Sequence, residues 1–160
     1  MDPVSYIAVI GASEPDDRQL DLATEVGRLI AAAGAVLVCG GLGGVMEAAC
    51  RGAKSQGGVT IGVLPGLDRS QGNAWLDFSI CTGTGHARNL AVAASGDAVI
   101  AVGGGFGTLS EMGHARKCDR IVIALDSWRV SRNGENPPGI IPASSPAEAV
   151  RLATEASRAR

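Results

Sequence analysis

Aromatic residues are scarce: two Trp, one Tyr and two Phe make up 3% of the 160 residues. That excludes the stacking platforms on which single-stranded nucleic acids are held. An excess of positive charge is also missing. Fourteen basic and sixteen acidic residues leave a formal net charge of −2, with no surplus to neutralise a phosphate backbone or an anionic bilayer. No apolar run approaches the ~20 residues of a membrane span. Met1-Asp2-Pro3 leads straight into a short apolar run and a glycine rather than into a leader segment. The expectation is a cytoplasmic protein with neither nucleic acid nor membrane as partner. The four cysteines, Cys39, Cys50, Cys81 and Cys118, form no C-x-x-C pair and have no histidine at zinc spacing. They read as buried free thiols, with no metal site.

What the chain does have is glycine, 23 residues or roughly double the usual ~7%. The glycines have no collagen period and cluster between apolar runs, where positive φ or close backbone approach is needed. Hydrophobic residues at 46% against 19% charged support a buried core. The length suits one domain over 1–160.

Short apolar runs at 6–10, 35–39, 59–64, 78–81, 97–102 and 121–125 read as strands. They alternate with helical patterns at 20–33, 45–55, 87–94, 108–117 and 146–158. Segments 67–77 and 127–144 read as loops. Strands apolar on both faces and separated by helices specify a parallel sheet covered on both sides. The expected fold is α/β, a doubly wound, Rossmann-like three-layer sandwich. A (β/α)8 barrel needs about 250 residues, more than this chain has.

In such a sheet a ligand lies beyond the carboxyl ends of the strands, where the strand order reverses. That places 6–10 beside 97–102 and brings together the loops Gly11-Ala12-Ser13 and Gly103-Gly104-Gly105-Phe106-Gly107-Thr108. The second opens a helix, whose N-terminus attracts anions. These glycines serve either a phosphate or only tight turns. Gly40-Gly41-Leu42-Gly43-Gly44 is no P-loop, and Gly11-Ala12-Ser13-Glu14 is no G-x-G-x-x-G. Binding of NAD and hydrolysis of ATP are therefore disfavoured.

Thr108-Leu109-Ser110-Glu111 reads equally as a capping box, with Thr108 the cap, and as a turn presenting Glu111 as a general acid or base. Arg88 suits a bidentate anion contact, against the ordinary fate of a solvated surface arginine. His86 and His114 read as non-catalytic, with His86 near enough to Arg88 to line the same pocket. Asp97 reads as a turn or cap before its strand.

Two longer motifs carry a family resemblance. Gly40-Gly41-Leu42-Gly43-Gly44-Val45-Met46-Glu47 resembles the G-G-x-x-G-x-M motif of the LOG-like proteins. Gly103-Gly104-Gly105-Phe106-Gly107-Thr108-Leu109-Ser110-Glu111 resembles their P-G-G-x-G-T-x-x-E. Asn73, the run Thr82-Gly83-Thr84-Gly85-His86-Ala87-Arg88-Asn89 and the strand before Gly103 look most like the molybdenum-cofactor-carrier branch.

The resemblance implies a phosphorylated ligand: an AMP-like nucleotide, phosphate or a molybdopterin-type cofactor, with no cofactor required. It implies a site drawn from Gly11, Ser13, Gly41, Gly43, Met46, Arg88, Asn89, Gly104, Gly105, Gly107 and Thr108, and a homodimer or higher homo-oligomer. The enzymes of the group release the base from nucleoside 5′-monophosphates. Arg88 and Glu111 match their catalytic pair, while Gly103 stands where they carry Pro and Asn89 where they carry Lys. Two readings follow: a binding protein, or a phosphoribohydrolase.

Overall fold

A computed structural model describes residues 3–160. Met1 and Asp2, where the reading of a missing leader begins, lie outside the described residues. The strands are β1 (Tyr6–Gly11), β2 (Val36–Cys39), β3 (Thr60–Leu64), β4 (Phe78–Cys81), β5 (Ala98–Val102), β6 (Ile121–Leu125) and β7 (Ile140–Ala143). The helices are α1 (Asp17–Ala32), α2 (Val45–Lys54), α3 (Arg88–Ser95), α4 (Phe106–Lys117) and α5 (Pro146–Arg158). The strands form one parallel sheet in the order β4-β3-β2-β1-β5-β6-β7. The fold is the expected doubly wound α/β sandwich.

The strands are apolar on both faces because both faces are covered. Along β1, Ile7 and Val9 pack toward α1, α2 and α5, while Ala8 and Ile10 pack toward α3 and α4. β5 alternates in the same way and is buried at every residue. Its neighbour β1 pairs with it from Ile7↔Ala98 to Gly11↔Val102, so the order reverses where the sequence placed the switch.

Local chemistry sets the helix starts. Asp16 caps α1 in a capping box with Gln19, and Ser145 caps α5 ahead of Pro146. α1 crosses α2 almost backbone to backbone. A Cβ on Gly27 would come within 2.9 Å of three backbone atoms of Ala49, and one on Gly52 would press on the Thr24 carbonyl.

Several expectations are corrected. Segment 127–144 contains the edge strand β7, whose Pro142 is tolerated because an edge strand has a free side. Helix α4 begins at Phe106 rather than Thr108, with Gly105 as an N-cap that has no side-chain cap bond. Thr108 is thus buried inside the first turn and caps nothing, which removes the capping-box reading of Glu111. Cys39 and Cys50 are buried, whereas Cys81 and Cys118 are half-buried. Asp97 precedes β5, and its carboxylate accepts the Tyr6 N–H at 2.9 Å.

The α1–α2 seam yields a stability prediction. Gly27→Ala forces a methyl into the Ala49 backbone, which cannot rotate away, so the helices must separate. A loss of about 1–3 kcal/mol, the range for overpacking, is expected in denaturant titration. A variant as stable as wild type would show that the seam has slack.

Candidate functional site

Three glycine-rich loops converge at the carboxyl ends of β1, β2 and β5. The loops after β1 and β2 are tied together: Val45 N–H donates to the Ala12 carbonyl at 3.0 Å. Gly44, at φ +68°, leaves no room for a Cβ against the carbonyls of Ala12 and Ser13. Gly11 and Gly41 are likewise packing glycines, pressed on Val102 and Val45 and on Leu64. The Gly41 N–H is taken by Cys39 Sγ at 3.3 Å. Ser13 and Gly43 are exposed at the rim, and Met46 is half-buried.

The loop after β5 is different. Gly104 sits at φ +105° with Thr108 packed against its Cα. Gly105 and Gly107 face open space. In α4, the Leu109 N–H finds the Gly105 carbonyl at 3.1 Å. The N–H groups of Phe106, Gly107 and Thr108 precede it without a side-chain cap. The helix dipole adds partial positive charge there. Thr108 is buried beside them.

Two buried ionisable side chains, Arg88 and Glu111, lie close enough for the charge of the first to act on the second. Arg88, the first residue of α3, is 8% exposed. Its guanidinium donates to Asn89 Oδ1 and, at 3.4 Å, to the Gly40 carbonyl, and its Nε has no partner. Gly40 owes its lack of a side chain to this contact, since a Cβ would come within 2.8 Å of both Arg88 Nη2 and Met46 Sδ. Glu111 is also 8% exposed. Burial pushes its carboxyl up to about 7, while the charge of Arg88 pulls the other way. No direct ion pair joins the two among the described residues.

Beneath them, Cys39 and Cys50 place their sulfurs 3.5 Å apart. Donation from Cys50 holds the Cys39 thiol below its ordinary range. The same bond, with burial, pushes Cys50 up.

Arg88 thus contacts Asn89 and the Gly40 carbonyl, Met46 meets it over Gly40, and its charge acts on Glu111, in the helix that opens after Gly105. The structure leaves Ser13 and Gly43 at the edge. His86 is exposed on the short turn Gly85–Ala87, ahead of Arg88. Sequence reasoning missed Gly40, whose carbonyl orients Arg88, and Cys39 below it. It also missed Ser127 and Trp128, which donate to the carbonyls of Gly103 at 2.6 Å and Gly105 at 3.1 Å. One signal was present: Trp128 is one of only two tryptophans in an aromatic-poor chain. Among the described residues no group of three His, Cys, Asp or Glu is placed to hold a metal ion. No helix there is long and apolar enough to cross a membrane.

Glu111 should make stability depend on pH. Its folded pKa, about 7, lies above the ordinary carboxylate value of 4.5. Its contribution to stability is therefore full in acid and is lost as pH rises through 7. Glu111→Gln, which carries no charge, should gain on wild type by as much as roughly 3 kcal/mol between pH 5 and pH 8. Melting curves at the two pH values check this; parallel curves would place the carboxylate in contact with water.

The model of the SLOG cluster4 family matches residues 4–150. A molybdenum cofactor carrier protein from Chlamydomonas reinhardtii superposes with a TM-score of 0.88 at 34% identity, over 99% of this chain and 100% of that one. An uncharacterized protein of Archaeoglobus fulgidus is 49% identical over 119 residues, 74% of this chain and 78% of its own. A cytokinin riboside 5′-monophosphate phosphoribohydrolase of Mycobacterium tuberculosis is 35% identical over 133 residues, 76% of this chain and 71% of its own.

Proposed function

The chain belongs to the SLOG cluster4 family, a LOG-like group, and from that premise we propose that it binds a phosphorylated small molecule at the switch-point cleft. The candidates are a nucleoside monophosphate and a molybdopterin-type cofactor carried as cargo. One observation carries the reading: α4 opens without a cap, and a buried guanidinium whose Nε has no partner acts by its charge on Glu111 of the same helix. Three helix N–H groups and the dipole suit a phosphate. Gly105 and Gly107 let it approach the backbone. Arg88, oriented by Asn89 and the Gly40 carbonyl, has a donor left for an anion. The similarity to a molybdenum cofactor carrier supports the same reading.

The second reading is hydrolysis, favoured by Glu111. A buried carboxyl at about 7 is suited to moving a proton at neutral pH. There the ionised Glu111 would take a proton from water as its oxygen bonds to the ribose C1′, and would pass that proton to the base nitrogen as the C1′–N bond breaks, so that ribose 5-phosphate and the neutral base leave. The mycobacterial relative is named for this class of reaction. Phosphate contacts alone hold ground and transition states equally and do not make an enzyme. Gly103 and Asn89, where the enzymes of the group carry Pro and Lys, favour the first reading.

In this reading residues 1–160 form one ligand-binding domain that works in the cytoplasm as a homo-oligomer. Phe78, Ile80 and Leu90, 61%, 54% and 44% exposed, supply an apolar flank for a second copy.

Two experiments test the site. Gly105 has φ −98° and open space around its Cα, so Gly105→Val should fold normally yet lose AMP affinity sharply in calorimetry. Arg88→Ala should weaken AMP by roughly 1.5–3 kcal/mol, the range for hydrogen bonds to charged groups, with little change in the melting temperature of the free protein. Unchanged affinity in both would move the site elsewhere. Native mass spectrometry of the purified protein should show a co-purified phosphorylated mass. The wild type should release little adenine from AMP. Release that is lost in Glu111→Gln with binding intact would establish the hydrolase instead.

A further inference from the structure

We infer that Ser127 and Trp128 are positioning residues that set the orientation of the peptide groups in the anion loop, an inference that rests on that loop receiving the ligand's phosphate. The two residues follow β6, and their side chains reach across to the loop after β5. Ser127 Oγ–H donates to the Gly103 carbonyl at 2.6 Å, and Trp128 Nε1–H donates to the Gly105 carbonyl at 3.1 Å. Among the described residues no peptide bond is cis, so in each of these peptides the N–H points opposite to the C=O. Turning the carbonyls of Gly103 and Gly105 toward Ser127 and Trp128 therefore turns the N–H groups of Gly104 and Phe106 away from them. The two bonds thus fix the directions of two donors flanking Gly105, in a loop whose glycines would otherwise sample many orientations.

Three further observations belong to the same device. Gly103 N–H reaches the Leu125 carbonyl at 3.4 Å, which carries the β5–β6 pairing into the loop. Asp126 turns the chain at φ +49°, a left-handed conformation that a non-glycine residue holds at a cost and that persists when surrounding contacts enforce it. Its carboxylate accepts Arg18 Nη1 at 2.9 Å and Gln19 Nε2 at 3.5 Å. That turn directs Ser127 and Trp128 toward the loop. Phe106, 80% exposed as the first residue of α4, lies with its ring 5.6 Å from that of Trp128 and tilted 38° to it. The indole therefore grips the start of α4 through both its N–H and its face.

The test uses Ser127→Ala and Trp128→Phe, which each remove one donor and keep a comparable shape, with Ser127→Thr as the variant that keeps the hydroxyl. Calorimetry with AMP should show each donor deletion binding about three- to tenfold more weakly, as expected for one ordinary hydrogen bond. Ser127→Thr should bind like wild type, and melting temperatures should stay close together. Hydrogen exchange of the 103–109 backbone in the ligand-free protein supplies a readout that needs no ligand. Exchange should accelerate in both deletions and stay at the wild-type rate in Ser127→Thr. Unchanged exchange in the deletions overturns the inference whether or not AMP binds. Accelerated exchange with unchanged AMP affinity overturns it as well, because the loop's orientation then does not serve binding. Accelerated exchange in the deletions, when the wild type itself binds no AMP, would keep the positioning role of Ser127 and Trp128 and overturn the phosphate reading alone.

Discussion

The pairing of β1 with β5 is the constraint on which the rest depends. Among the described residues the β1–β5 ladder is where the strands of the first half of the chain, β1 to β4, meet those of the second, β5 to β7. The helices that follow these two neighbours leave on opposite faces: α1 packs with α2 and α5, and α4 packs with α3. Two loops diverging from adjacent strand ends cannot close over each other, so a crevice opens between them. The pairing continues into the loops, where Ala12 N–H reaches the Val102 carbonyl at 3.3 Å. Gly11 lets the β1 loop lie flat against Val102, and Gly103 and Gly104 turn the β5 loop at positive φ before α4 starts.

The lining departs from what folding alone favours. A buried guanidinium with an unpartnered Nε and a buried carboxyl without an ion pair both cost stability. Neither contributes to the core, which is made of apolar, mostly aliphatic side chains on both faces of the sheet. Groups left partly unsatisfied in a crevice at a switch point are what a ligand-binding reading requires. The thiol pair Cys39 and Cys50 lies in the layer directly beneath, where small, weakly polar side chains fit under the packed glycines.

The fold was legible because hydrophobic runs and glycine punctuation report it directly. The five strands that became β1, β2, β3, β5 and β6 are apolar on both sides, and burial of both sides is what makes a parallel sheet readable. β7 escaped because Ile140-Ile141-Pro142-Ala143 is short, carries a proline and sits in a Gly/Asn/Pro-rich tract, the signature of a loop. The start of α4 escaped for a different reason. Thr108-Leu109-Ser110-Glu111 has the spacing of a capping box, but the uncapped turn through Gly105 is stabilised from outside the helix by Ser127 and Trp128. Local pattern cannot report such a tertiary bond. Arg88 and Glu111 were legible as residues of interest, yet their burial was not, since arginine and glutamate are ordinarily solvated. Their surroundings come from three separate loops.

The uncapped start of α4 and the buried carboxyl farther along it have a joint consequence. Glu111 lies five residues beyond Phe106, roughly 7–8 Å along the helix axis. An anion settling at the terminus would repel the ionised carboxylate by about 2 kcal/mol at the effective dielectric of a protein site. Near neutrality that repulsion is relieved by taking a proton from solvent. If the proposed anion binds there, part of a proton would be taken up with it near neutrality, and the heat of binding would shift with the ionisation enthalpy of the buffer. An anion held in this way would then be released more readily as the surroundings turn alkaline, because the ionised carboxylate would stand against it.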